Sequence, residues 1–155
     1  MMSNKKIYIG CDNAAVELKN ELIRLIADLG YEAVNMGVDS AGDSTVYPEI
    51  AQRVAEKIIE GGYQNDGILV CGTGIGMAIS ANKFKGIRAA VCHDNFSAER
   101  ARLSNDANVL CLGARVIGPE LAKKIVREWL ALEFIDGSST PKVQAIRRLE
   151  TESFK

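Results

Sequence analysis

A cysteine followed by three glycines at alternate positions, Cys71-Gly72-Thr73-Gly74-Ile75-Gly76, carries the most chemistry in this sequence. Glycine lets a backbone approach a ligand closely and take a positive φ. Successive N–H groups in such a turn, with a helix starting behind them, make a nest for negative charge. Cys71 stands directly before the nest. A thiol beside helix N–H groups has its thiolate favoured. A thiolate next to an anion cradle can lift a carbon-bound proton while the cradle holds the oxygen that gains charge. An acyl-enzyme nucleophile would instead need a nearby histidine, and His93 is the sole histidine.

Other readings stay open on spacing alone. A dinucleotide fingerprint would place its third glycine on Met77, and no Lys-Ser/Thr pair follows as in a phosphate-binding P-loop. Asp94 nevertheless lies about a strand's length downstream, where a ribose-binding acid could sit. A tight strand-to-helix turn without any ligand is another reading. A cysteine in an apolar run is commonly inert core, the reading kept for Cys11, Cys92 and Cys111.

The elements that must position this loop alternate between strand and helix. Lys6–Cys11, Tyr31–Gly37, Asp66–Gly72, Ile87–His93 and Ala107–Gly113 read as strands. Helical spacing runs through Ala14–Gly30, with apolar residues at Val16, Leu18, Leu22, Leu25, Ile26 and Leu29. Pro48 and Pro119 open two further helices, the latter running to Phe134, and Phe96–Ser104 makes another. Gly76 leads into a helix through Phe84, and a short helix follows Pro141 in a polar tail. Five strands alternating with helices predict an α/β fold with a doubly wound parallel sheet. Ligands bind outside the carboxyl ends of such strands. Cys11-Asp12-Asn13, Cys71-Gly72-Thr73, His93-Asp94-Asn95 and Gly113-Ala114-Arg115 should therefore face one crevice.

At 155 residues, with 47% hydrophobic and 25% charged residues, the chain suits a single globular domain, 1–155, with an α/β core over 1–135 and a tail over 136–155. Net charge is −1 with no long basic run, which excludes an evident nucleic-acid or membrane-surface role. The apolar stretch before Asp12 is too short for a signal peptide or a membrane span, so a cytoplasmic protein is expected. Four cysteines without a C-x-x-C pair and one histidine give no structural zinc site, and no disulfides are expected in that compartment.

The segments GCDNAAVELK, VYPEIAQRVAEKI and CGTGIG…ANK…GIRA, followed by N-x-x-N-V and G-x-R-V-x-G, resemble the ribose-5-phosphate isomerase B / galactose-6-phosphate isomerase family over nearly the whole chain. The resemblance implies a Rossmann-like three-layer α/β/α sandwich. It implies a homodimer or homotetramer with each site shared between subunits, and the detached helix of the polar tail is, by its pattern alone, expected to pack on a partner subunit. The reaction it implies is aldose–ketose isomerisation of a sugar phosphate through a cis-enediol, without metal or cofactor. Cys71 matches the catalytic base of the cysteine branch. Other members carry a glutamate after the last loop glycine, where Met77 stands here. Thr73 matches a hydroxyl that assists proton movement. Gly72, Gly74 and Gly76 match the enediolate cradle, with Ser80 early in the next helix. Asp12, Tyr47 and Asn105 match substrate contacts, and Arg115 and Lys142 fall where phosphate-binding residues stand. Tyr47 could instead staple a helix start, and Arg115 could be a surface charge.

Three positions depart from the family pattern. Asn13 and Ser104 replace histidines, and Ser138 aligns with an arginine of the tail. In the ribose 5-phosphate isomerases the histidine at the second position opens the furanose ring. The histidine at the first position and the tail arginine help bind phosphate. A tetrose 4-phosphate cannot close a five-membered ring, because the required oxygen carries the phosphate, so it needs no ring-opening acid. SAERARLSNDAN also resembles the branch that isomerises erythrulose 4-phosphate. The expected substrate is therefore ribose 5-phosphate or a tetrose 4-phosphate. His93 stands either as a substitute acid or as a strand-end residue bonded to solvent or backbone. A non-catalytic sugar-phosphate sensor and a nucleotide-binding domain are the competing classes.

Overall fold

The structure, a computed structural model, describes residues 4–154. The strands are β1 (Lys6–Cys11), β2 (Glu32–Asn35), β3 (Asp66–Cys71), β4 (Ala89–Val91) and β5 (Val109–Gly113). Six helices alternate with and follow them: α1 (Val16–Asp28), α2 (Tyr47–Glu60), α3 (Ile75–Ala81), α4 (Asn95–Leu103), α5 (Pro119–Leu130) and α6 (Thr140–Ser153). The sheet is wholly parallel in the order β2-β1-β3-β5-β4. Helix α2 packs on α3, while α5 packs on both α1 and α4, so two helical layers enclose the sheet. The expected α/β class and three-layer sandwich are both present.

The strand order explains where a ligand fits. From β1 the chain steps outward to β2, then crosses back to β3 on the other side of β1. The crevice at such a reversal lies between the carboxyl ends of β1 and β3. Those ends carry Asp12 and the Cys71–Gly76 loop. Strand β3 is central and all six of its residues are buried, as its unbroken apolar run requires. Pro48 and Pro119 stand in the first turns of α2 and α5, where a missing N–H costs nothing. Trp129 of α5 is fully buried, and the Arg102 guanidinium lies 3.8 Å from its ring centroid while bonding Asp66 at 2.7 Å.

Several element boundaries differ from those read off the sequence. Helix α1 starts at Val16, two residues late, because Asp12 Oδ1 takes the N–H of Ala14 into a turn. Helix α3 stops at Ala81 instead of running to Phe84. The Asn82 amide turns aside and bonds both the N–H and the C=O of Ala89 at the outer edge of β4. Helix α5 ends at Leu130, short of Phe134. The tail forms a 14-residue helix rather than a short one. It is tied to its own chain by buried Val143, by Arg147 to Asp106, and by Glu150, which accepts the N–H of Gly86. Ile146 and Leu149 on the same helix remain exposed. No helix among the described residues is long and apolar enough to cross a membrane.

Candidate active site

Asp12, Asn13, Tyr47, Cys71, Thr73 and Arg115 line one open cleft of about 520 Å³ at the β1/β3 reversal, together with Gly72, Gly76, Ile75 and Ile79. Each side chain arrives by a short route. Asp12 and Cys71 come from neighbouring strand ends, and the cysteine is 5% exposed. Tyr47 is the first residue of α2 and is 41% exposed. Arg115 follows β5 and donates its backbone N–H to Gly72 O at 3.0 Å.

The loop after β3 owes its shape to packing on β5. Gly74 has φ +77°, and a Cβ there would lie 2.9 Å from the backbone carbon of Leu112. That position therefore requires glycine on two counts, conformation and space. Its N–H points back at the Cys71 sulfur, at 3.1 Å. The N–H of Ile75 turns to Thr73 Oγ1 at 3.3 Å, leaving the threonine hydroxyl hydrogen free to donate. One of the loop's N–H groups is thus committed to the thiol.

The other three cysteines are built differently. Burial pushes the Cys11 and Cys92 thiols up to about 11, and it raises Cys111 further still. All three stay protonated at neutral pH, in keeping with the inert-core reading.

Not every residue singled out in the sequence reaches the cleft. Ser80 is the sixth of seven residues in α3, at the end away from the glycine loop, and does not line it. His93 Nε2 accepts the N–H of Gly113 at 2.9 Å. The imidazole therefore locks the end of β5 to the segment after β4, and its backbone-bonded reading is the one the structure displays. Ser104 caps α4 and its hydroxyl accepts from Arg100 at 3.2 Å. Asn105 lines a separate groove of about 490 Å³ between β4 and α6, with Arg88, Ala89 and Ile146. Both lie near the amino ends of β4 and β5, across the sheet from Cys71. Lys142 is exposed on the first turn of α6, a helix held at that same edge.

Ile75 and Ile79 were not singled out by type, yet they line the cleft at 54% and 59% exposure. The available signal was their phase, since they lie off the buried Met77–Ala78–Ala81 face of α3. Met77 itself is fully buried. A side chain at that position faces the core, so Cys71 is left as the one sulfur or acid of the β3–α3 turn that borders the cleft. Among the described residues no three His, Cys, Asp or Glu side chains group to hold a metal ion.

Comparison with known proteins adds to this geometry. The family model described as Ribose/Galactose Isomerase matches residues 7–146. The D-erythrulose-4-phosphate isomerase of Pectobacterium atrosepticum is 52% identical over 140 residues, covering 90% of this chain and 91% of that protein. The ribose-5-phosphate isomerase B of Escherichia coli is 44% identical over 146 residues, covering 94% and 97%. The structure of Clostridium thermocellum ribose-5-phosphate isomerase B superposes with a TM-score of 0.89 at 41% identity, over 95% of this chain and 98% of that one.

Proposed function

This chain belongs to the ribose/galactose isomerase family, and from that premise we propose that it interconverts a ketose and an aldose tetrose 4-phosphate by proton transfer between C1 and C2. The carrying observation is the Cys71 sulfur, held by the Gly74 N–H on the wall of the cleft. As a thiolate it takes a proton from C1 of the ketose. The C–H electron pair becomes the C1–C2 double bond, and the carbonyl electrons move to O2. In this reading the loop N–H groups that bond neither Cys71 nor Thr73 are the donors to the enediolate oxygen. A proton passes from O1 to O2 with the Thr73 hydroxyl assisting. Cys71 then returns its proton to C2, and the aldehyde forms at C1. No external oxidant or metal enters the balance.

Asp12 and Tyr47 border the sugar hydroxyls in this reading, and Arg115 lies against Gly72 where it can meet the phosphate. Ser104, Asn105 and Lys142 lie across the protomer from Cys71, so they complete a site only on a second copy of the chain. That placement supports a homodimer, or a tetramer of such pairs, with shared sites. Ser104 carries no ring-opening acid, and His93 Nε2 is engaged with backbone. Both features suit a substrate that stays open-chain. The 52% identity to a D-erythrulose-4-phosphate isomerase points the same way.

The test is a panel of erythrulose 4-phosphate, ribose 5-phosphate and a hexose 6-phosphate. The tetrose should show kcat/KM of about 10⁴ M⁻¹s⁻¹ or more. Efficient turnover of ribose 5-phosphate with none of the tetrose sinks the proposed substrate while leaving the reaction type intact. Ser104→His should raise activity toward the pentose.

A further inference from the structure

Lys19 of α1 is 0% exposed, and its ammonium is buried behind the cleft rather than in it. Burying a charge is costly unless it is paired and hydrogen-bonded. Here Nζ donates to Val38 O and to Asp39 Oδ1, each at 2.7 Å. Asn35 donates to the same carboxylate oxygen, and the bond from Lys19 is the main cause holding the Asp39 carboxyl below its usual range.

The residues Lys19 grips belong to the turn leaving β2, which clasps the end of β1. Val38 N–H donates to Cys11 O at 3.2 Å, and the Cys11 thiol donates to Val38 O at 3.5 Å. Gly37 lies so close that a Cβ on it would stand 2.5 Å from Cys11 N. Cys11 is followed at once by Asp12, a cleft residue. In the other direction, Asp39 begins the exposed loop that delivers Tyr47, the opposite cleft wall. Residues 40–44 of that loop are all exposed and bond mainly to one another.

We propose that Lys19 is a positioning residue for substrate binding: its buried ammonium, bonded to Val38 O and Asp39, sets where Asp12 and Tyr47 stand without touching the substrate itself. The inference rests on the cleft being the isomerase site. An apolar residue of equal length would fill the same space but release Asp39 and leave the Val38 carbonyl only a weak thiol donor. Asp12 and Tyr47 would then lose their fixed spacing, while Cys71 and its loop, anchored on β5, would not move. Removing binding that is equal in the ground and transition states raises KM and leaves kcat unchanged.

The experiment compares Lys19→Met and Asp39→Ala with the parent chain, well below each melting temperature. Asp39→Ala leaves the buried Lys19 ammonium bonded to Val38 O alone, so the double variant, which carries no buried charge, stands in where either single variant fails to fold. Both should raise KM about fivefold or more with kcat within about twofold. Adding Asp39→Ala to Lys19→Met should contribute little further, because the two act through one bond. Amide exchange of residues 36–47 should accelerate in both variants while that of β3 and α3 holds. Unchanged KM in either folded variant, or a fall confined to kcat, overturns the proposal. So does unchanged exchange in the 36–47 segment. Should the parent chain turn over no sugar phosphate, it is the isomerase reading that has failed, and the exchange data still decide whether Lys19 fixes this segment.

Discussion

The ring of Tyr47 occupies the space that a side chain on Gly76 would need: a Cβ there would lie 2.6 Å from the ring's Cζ. The glycine serves the tyrosine as much as it serves the loop. Gly76→Ala should push the ring out of the cleft wall and raise KM about tenfold, with kcat less affected. In a Tyr47→Ala background the same change should do almost nothing, since the clash is gone. Steady-state kinetics on the four chains checks this, and additive effects would show that the ring and the glycine act separately.

Removal of the sulfur should be felt in the chemical step. Cys71→Ala should lower kcat about 10²- to 10⁴-fold, the range for losing a positioned proton-transfer group, with KM little changed. Alkylation gives an independent check. Cys71 borders the cleft, whereas burial keeps Cys11, Cys92 and Cys111 protonated. Iodoacetamide at neutral pH should modify Cys71 first, in step with loss of activity, as read by peptide mapping. Labelling of Cys11 or Cys92 ahead of Cys71 would contradict that order.

Alkaline pH should destabilise the fold through its buried thiols. Cys11 and Cys92 titrate at about 11 in the folded chain, above the ordinary thiol value. Below that ordinary value both states hold the proton, and the stabilisation is fully present. Above it the unfolded chain releases protons that the folded chain keeps, so stability falls as pH rises toward 11. Each thiol accounts for a loss on the order of 2 kcal/mol across that window. Urea midpoints from about pH 8.5 to about pH 11 should fall more steeply for the parent than for a Cys11→Ala/Cys92→Ala variant. Equal slopes would mean that other groups govern the alkaline limit.

His93 should prove structural. His93→Ala leaves the buried N–H of Gly113 without its acceptor. An orphaned buried donor costs about 1–3 kcal/mol, so the melting temperature should fall by several degrees. With a tetrose substrate kcat should stay close to that of the parent. A loss of about 100-fold in kcat at unchanged stability would instead identify His93 as an acid in the reaction.

The fold was legible because its periodicities are strong. The unbroken run of β3 and the proline starts of α2 and α5 each have one physical reading, and both appear where they were expected. The strand order was not legible, since β5 inserts between β3 and β4 through pairings far apart in sequence. Within the cleft, residue type and strand-end position found Asp12, Cys71, Thr73 and Arg115. Ser80 was misplaced because a seven-residue helix carries its sixth residue well away from its start. Ser104, Asn105 and Lys142 could be matched by pattern but not located, because a single chain does not bring them to Cys71. Lys19 left no signal at all. A lysine in an amphipathic helix reads as solvated, and only the turn of Val38 over β1 shows it to be enclosed.

The amide of Asn82 has an effect beyond ending α3. Strand β4 is the sheet's outer rim on one side and is three residues long. Its outward-facing main-chain groups at Ala89 are both taken by that one side chain. An uncovered rim is a template on which foreign strands assemble. Here only the groups at Val91 remain for such growth, too few to seed a ladder. One asparagine thus guards the protein against fibrillar self-association from this side, and its replacement by leucine would expose the rim.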